Sequence, residues 1–128
     1  MKQSVSNLAY LGDAVFELLV REMLLSTGSR PVSTLNQEAL QYVTAKAQAK
    51  MYHIIAPYLT EAEESTLRRG RNLHSNSKAK NADISEYRHA TGLETLFGYL
   101  YTTGQKERLA EIFAICTKED EEPHNEEI

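Results

Sequence analysis

The sequence predicts an all-α domain, and three features carry that prediction. Apolar residues recur at three- and four-residue spacing, helix-start and helix-stop signals punctuate the chain, and no stretch alternates apolar and polar residues as a half-buried strand would. At 128 residues there is enough chain for one domain with a real core and hardly for two. A hydrophobic fraction of 41% beside 25% charged residues is ordinary for a water-soluble globular protein.

The first helix is expected between Ser4 and Thr27, where Leu8, Leu11, Val15 and Leu18 repeat at helical spacing and Tyr10, Phe16, Val20 and Leu24 fill most of the remaining circumference. Gly28 is a natural stop and Pro31 marks the connection. A second helix is read from about Ser33 to Ile55. Its scattered alanines (Ala39, Ala45, Ala47, Ala49) would let neighbours approach closely, making it a candidate central packing helix that Pro57 ends or kinks. Thr60-Glu61-Ala62-Glu63 is a capping box, opening a short helix that should stop near Gly70. Residues 71–82 lack a hydrophobic period and read as an exposed loop. Asp83 with Glu86 three residues on predicts another N-cap. Gly92 is read as dividing the helix that follows from one over Leu93 to about Thr103, which Gly104 ends. The last helix places Leu109, Ile112, Phe113 and Cys116 on one face.

The net charge of −4 conceals an uneven distribution. Residues 118–128 carry Lys118 against six acids, and the chain before them holds 13 basic and 12 acidic side chains. The acidic tail 118–128 reads as disordered, leaving residues 1–117 as the folded domain. Between Arg68 and Ala82 five bases (Arg68, Arg69, Arg71, Lys78, Lys80) meet no acid, and Asn72, Asn81 and neighbouring polar residues add donors suited to phosphate and ribose oxygens. Such a loop is most often plain solvated surface; its alternative is a nucleic-acid contact. The one cysteine, Cys116, excludes an internal disulfide, and no apolar run approaches a membrane span or a secretory signal, so a cytoplasmic, non-membrane protein is expected.

Two carboxylates stand out. Asp13 lies in the middle of the apolar first helix, and Glu94 is the only charged residue between Ala90 and Gln105, with Gly98 leaving room on the same face. Burying an ionised carboxylate alone costs several kcal/mol or more, so each needs a partner, a metal ion or a watery cleft. Taken singly, each is more simply a partner for a buried arginine or a helix cap. Taken together they suggest one shared site, and Mg²⁺ suits it because that ion takes one or two protein carboxylates and completes its shell with water and substrate phosphate. Glu17 is first an i,i+4 partner of Arg21. His53, His74, His89 and His124 lack zinc-type spacing. Phosphate-cradling and nucleophile-elbow motifs are absent.

Leu8 to Glu17, LAYLGDAVFE, resembles the first signature of ribonuclease III catalytic domains, and His89 to Gly104, HATGLETLFGYLYTTG, resembles that family's second motif. The likeness is closest to the Mini-ribonuclease III branch, which lacks a double-stranded RNA-binding domain; TAKAQAK (Thr44 to Lys50), RRGRN (Arg68 to Asn72) and Lys80-Asn81 add to it. It spans Leu8 to Ile115. The resemblance implies a homodimeric helical domain in which Asp13 and Glu94 are the catalytic and metal-binding acids, with Mg²⁺ as cofactor. Other family acids fall on Ser6, Ala9 and Thr91, a reduction the small branch is similar in having.

By the same resemblance Tyr10 lies at the dimer interface. The implied activity is endonucleolytic cleavage of double-stranded RNA, leaving 5′-phosphate and 3′-hydroxyl ends. Its implied substrate is precursor large-subunit (23S) ribosomal RNA, a large-subunit ribosomal protein being a candidate presenter, and Arg68, Arg69, Arg71, Asn72, Lys78, Lys80 and Asn81 would hold the RNA backbone. The alternative is a non-catalytic, dimeric RNA-binding or ribosome-assembly module, for which the missing acids argue.

Overall fold

The computed structural model describes residues 3–73 and 83–118. Among the described residues there are six α-helices: α1 (Val5–Leu25), α2 (Val32–Val43), α3 (Ala45–Ile55), α4 (Glu61–Arg71), α5 (Ile84–Thr102) and α6 (Lys106–Lys118), with a 3-10 turn at Ala56–Tyr58. Among the described residues there is no strand, as the periodicity predicts. The acidic tail beyond Lys118, and Lys78, Lys80 and Asn81, lie outside the described residues.

The chain is built around α5, which packs against α1, α3, α4 and α6. Its Leu93, Leu96, Phe97 and Leu100 are fully buried because a helix surrounded on all sides has no polar face to keep. Phe16, Phe97 and Phe113 meet edge-to-face at centroid distances of 5.3, 5.9 and 6.4 Å and tie α1, α5 and α6 together. Cys116 is buried in this core, and burial pushes its thiol pKa up, which makes it an inert packing residue.

Several boundaries differ from the sequence reading. The expected helix over 33–55 is two helices, because Thr44 adopts an extended conformation (φ −76°, ψ 158°) and its hydroxyl accepts the Ala47 N–H at 3.2 Å, starting α3 afresh. The central helix is therefore α5 rather than this alanine-rich stretch, and α2 contributes no fully buried residue. Gly92 does not divide α5; a Cβ there would lie 2.7 Å from the Leu67 carbonyl oxygen and 2.9 Å from the Tyr52 ring, so the glycine serves close packing within one continuous helix. Asp83 makes no side-chain cap. The Thr60–Glu63 capping box forms as predicted, its reciprocal bonds measuring 3.1 and 2.9 Å. On α1, Tyr10 is 84% exposed, Leu18 54% and Leu25 57%, so that helix buries only part of its apolar circumference.

Candidate active site

The site begins with a backbone contact. A Cβ on Gly12 would overlap the Glu94 carbonyl oxygen, and one on Gly98 would overlap the Leu8 carbonyl oxygen, so α1 and α5 cross with their main chains touching. Gly98 thus admits α1 instead of opening space beside the carboxylate, as its position in the sequence had suggested. The crossing sets Asp13, the residue after Gly12, against the side chain of Glu94. Two acids 81 positions apart in sequence are brought together, as the sequence reading requires.

The burden of burial is divided unequally. Asp13 is exposed, contrary to the expectation that it would be buried in α1, whereas Glu94 is largely covered. Burial first, and the neighbouring Asp13 carboxylate second, push the Glu94 pKa up to about 8, and the two side chains share a hydrogen bond. A bond between two carboxyl groups requires a proton on one of them. Burial favours that proton on the deeper Glu94.

A third member was not assigned a role from sequence. Gln48, in the first turn of α3, is 3% exposed, and its side-chain amide hydrogen-bonds Glu94 in the sense that favours the ionised carboxylate. Gln48 lies within the TAKAQAK segment that carries part of the resemblance. A glutamine among alanines and lysines has no periodic signal of its own; only the Thr44 cap, which restarts the helix, turns it inward.

Among the described residues neither Asp13 nor Glu94 has an ion-pair partner, so the buried-arginine explanation does not hold for either. Also among the described residues, no cluster of three or more His, Cys, Asp and Glu side chains could enclose a metal. An exposed and a largely covered carboxyl group, facing and disfavouring each other's charge, instead fit a hydrated Mg²⁺ that takes most of its ligands from water and phosphate. Glu17 pairs with Arg21 at 3.3 Å, the structural role read from its spacing. His89 points elsewhere, bonding the Ser85 carbonyl oxygen at 2.7 Å, and His74 lies outside the described residues.

The basic residues predicted to form a loop over 68–82 are placed differently. Arg68, Arg69 and Arg71 occupy the last turn of α4, where positive charge also complements the helix dipole, and Asn72 caps it. Arg68 pairs with Glu64 at 3.5 Å, and Arg71 reaches the Tyr52 hydroxyl at 3.4 Å and the Asn72 side chain at 3.1 Å. Arg69 is exposed and borders a cavity of about 500 Å³ between α1, α4 and α5. Because a Cβ on Gly92 would lie 3.2 Å from the Arg71 backbone nitrogen, α4 ends level with the start of the Glu94 turn, on another face of α5.

Comparison with known proteins adds to this geometry. Residues 6–105 match the Ribonuclease III domain family. The chain is 51% identical to the Mini-ribonuclease 3 of Symbiobacterium thermophilum, over 82% of this chain and 81% of that one. It is 48% identical to the Mini-ribonuclease 3 of Enterococcus faecalis, over 87% and 86%. A crystal structure of a Fusobacterium nucleatum protein superposes with a TM-score of 0.82 at 32% identity, covering 96% of this chain and 94% of that one. No described helix is long and apolar enough to cross a membrane.

Proposed function

The chain belongs to the ribonuclease III family, in its Mini-ribonuclease 3 branch, and is an endoribonuclease; from that premise we propose that it cleaves double-stranded RNA with Mg²⁺ at Asp13 and Glu94. The observation that carries this reading is the facing pair itself, two carboxyl groups in contact, neither with an ion-pair partner among the described residues. Bound there, Mg²⁺ would lower the pKa of a water and neutralise charge on the scissile phosphate. Asp13, at the solvent edge, offers its oxygens without desolvation, and Glu94 must first release its proton. Gln48 holds the Glu94 carboxylate in one orientation and favours its ionised form. Products would carry 5′-phosphate and 3′-hydroxyl ends.

Residues 1–117 are proposed as the catalytic domain and as one half of a homodimer, for a single site nicks whereas two opposed sites cut both strands. The exposed row Tyr10, Leu18 and Leu25 on α1 supports a partner on that face, because apolar side chains in a row are what a protein–protein contact covers. Arg68, Arg69, Arg71 and Asn72, with Lys78, Lys80 and Asn81, are proposed to hold the RNA backbone. Precursor 23S ribosomal RNA is the proposed substrate, a large-subunit ribosomal protein its candidate presenter, and the cytoplasm its proposed location.

A non-catalytic binding module is the second reading. It is favoured by Thr91, whose hydroxyl donates to the Tyr87 carbonyl oxygen at 3.0 Å and supplies no carboxylate where the larger family has one. Cleavage of a labelled RNA duplex by wild type and Asp13→Asn, with and without Mg²⁺, separates the two. Metal-dependent double-strand cuts by wild type alone are expected. Tight binding without cutting by folded, dimeric wild type would establish the module instead.

A further inference from the structure

A second polar cleft lies on the other side of α3 from Gln48. It encloses about 550 Å³ between the C-terminal part of α2, the first half of α3 and the start of α5. Lys46, Lys50, His53 and His89 border it, with Thr44 contributing a hydroxyl and Glu86 the one acid. Among the described residues neither lysine has an ion-pair partner. The α2 wall, Leu40 and Gln41, carries no charge.

The two histidines are arranged in an unusual way for groups that can both become cations. Their rings lie 4.7 Å apart at 41°, and Tyr52 packs edge-on against both, at 4.5 Å from His89 and 5.2 Å from His53. Nδ1 of His89 lies 2.7 Å from the Ser85 carbonyl oxygen, which can only accept, so Nδ1 carries the proton and Nε2 is left for a ligand. Protonated, that Nε2 donates. The pKa of His53 is lowered by burial and then by His89, so a second imidazolium beside His89 is disfavoured until an anion binds. Among the described residues, two lysines without an ion pair, two adjacent imidazoles and one carboxylate form a concave surface that suits an anion with several acceptor oxygens.

We propose that this cleft is a phosphate subsite in which Lys46, Lys50, His53 and His89 hold a backbone phosphate of the RNA away from the one being cut. The proposal rests on the nuclease reading above, since it supposes an RNA strand running along α5. Glu94 follows His89 by five residues, about 7–8 Å along a helix at 1.5 Å per residue and more than about a third of a turn around it, so the cleft and the acid pair open on different faces of α5. A duplex held at the Asp13–Glu94 pair carries its backbone on past that pair, and the cleft would take one of those further phosphates. Because α3 presents Gln48 to Glu94 and Lys46 and Lys50 to the cleft, one short helix positions both the acid and the anchoring charges.

The test measures duplex RNA binding to the full chain in EDTA, where cutting is silent, together with the histidine ring resonances. Lys46→Gln/Lys50→Gln, which alters two exposed side chains and spares the core, is expected to weaken duplex binding about tenfold near 0.1 M salt and to flatten the salt dependence by one to two charges. His53→Gln is expected to lose affinity at pH 6 and little at pH 8. The histidine signals of wild type should shift with duplex RNA and, at higher concentration, with inorganic phosphate. Shifts with phosphate but none with duplex would overturn the assignment to RNA backbone. Unmoved signals, or an unchanged affinity and salt slope in the double lysine variant, would overturn the site itself. Wild type that binds but never cuts with Mg²⁺ would sink the nuclease reading while these shifts still decide the subsite; full cutting with unmoved signals would remove the subsite alone.

Discussion

Glu63 and Glu94 are the same residue in two very different bargains. Glu63, on the first turn of α4, is 5% exposed and receives the Nε and Nη2 of Arg108 at 2.8 and 2.7 Å as well as the Thr60 N–H at 2.9 Å. Arg108 continues to the Tyr58 carbonyl oxygen at 2.9 Å and to Glu111 at 3.0 Å. The Arg108 hydrogen bonds hold the Glu63 pKa below the usual carboxylate range. Glu94 instead meets another acid, and burial together with Asp13 drives its pKa the opposite way. The first arrangement joins α4 to α6 and stabilises the fold. The second costs the metal-free fold something and gives nothing structural back, the pattern that the proposed divalent-cation site would produce.

The sharpest way to break this contrast is to neutralise each acid in turn. Glu94→Gln is expected to lower duplex cleavage at least about a thousandfold, roughly 4 kcal/mol in the barrier, with the thermal midpoint unchanged or raised. Glu63→Gln should retain turnover and lose stability. Midpoints and single-turnover rates on the same samples check both; an active Glu94→Gln protein would end the argument for its role.

Arg108→Met tests the structural half from the other side. Leaving Glu63 buried without its cation should cost about 2–3 kcal/mol, at the lower end for a broken buried pair because Arg108 itself is partly exposed. Denaturant unfolding measures this. Cleavage per folded molecule should stay at the wild-type level.

The two acids also predict opposite limbs of the stability–pH curve. Glu63 has a folded pKa below its unfolded value, so its contribution is present above the unfolded pKa, near 4.5, and is lost as pH falls through the folded one. Glu94 has a folded pKa above its unfolded value, so the metal-free protein binds an extra proton between about 4.5 and 8 and loses stability as pH rises through that window. The loss across that window should be on the order of 3–5 kcal/mol, absent in Glu94→Gln and reversed by Mg²⁺. Below pH 8 the metal must displace a proton, so its affinity should rise by up to about tenfold per pH unit and then level. Calorimetric titration in two buffers reads the proton release directly.

Much of this was legible in the residues. Asp13 and Glu94 announced themselves as charges inside apolar periods, and Thr60 and Glu63 announced a helix start. The destination of Glu63 was not legible, because its Arg108 partner lies 45 residues away and nothing local links them. The break at Thr44 was also missed: alanines on both sides continue the helical pattern, and only the extended backbone at the threonine shows that α3 begins again there. Gly92 and Gly98 misled for a related reason. A glycine inside a helical pattern reads as a break or a vacancy, whereas here it is space already taken by a neighbouring main chain.

Gln48 sharpens the comparison most finely, because it gives Glu94 a neutral donor where Glu63 has a cation. Its amide gives Glu94 a fraction of what Arg108 gives Glu63: a donor, without the charge. Gln48→Met keeps the volume and removes the donor, so the Glu94 pKa should climb further and the metal midpoint at pH 7 should weaken about tenfold. Turnover at saturating Mg²⁺ should change little. A purely structural glutamine would lower stability and leave the metal midpoint fixed at every pH. A positioning glutamine predicts that raising the pH above the displaced Glu94 value restores the midpoint, because ionisation then no longer depends on the lost bond. Midpoints measured at pH 7 and pH 9 on the same variant distinguish the two.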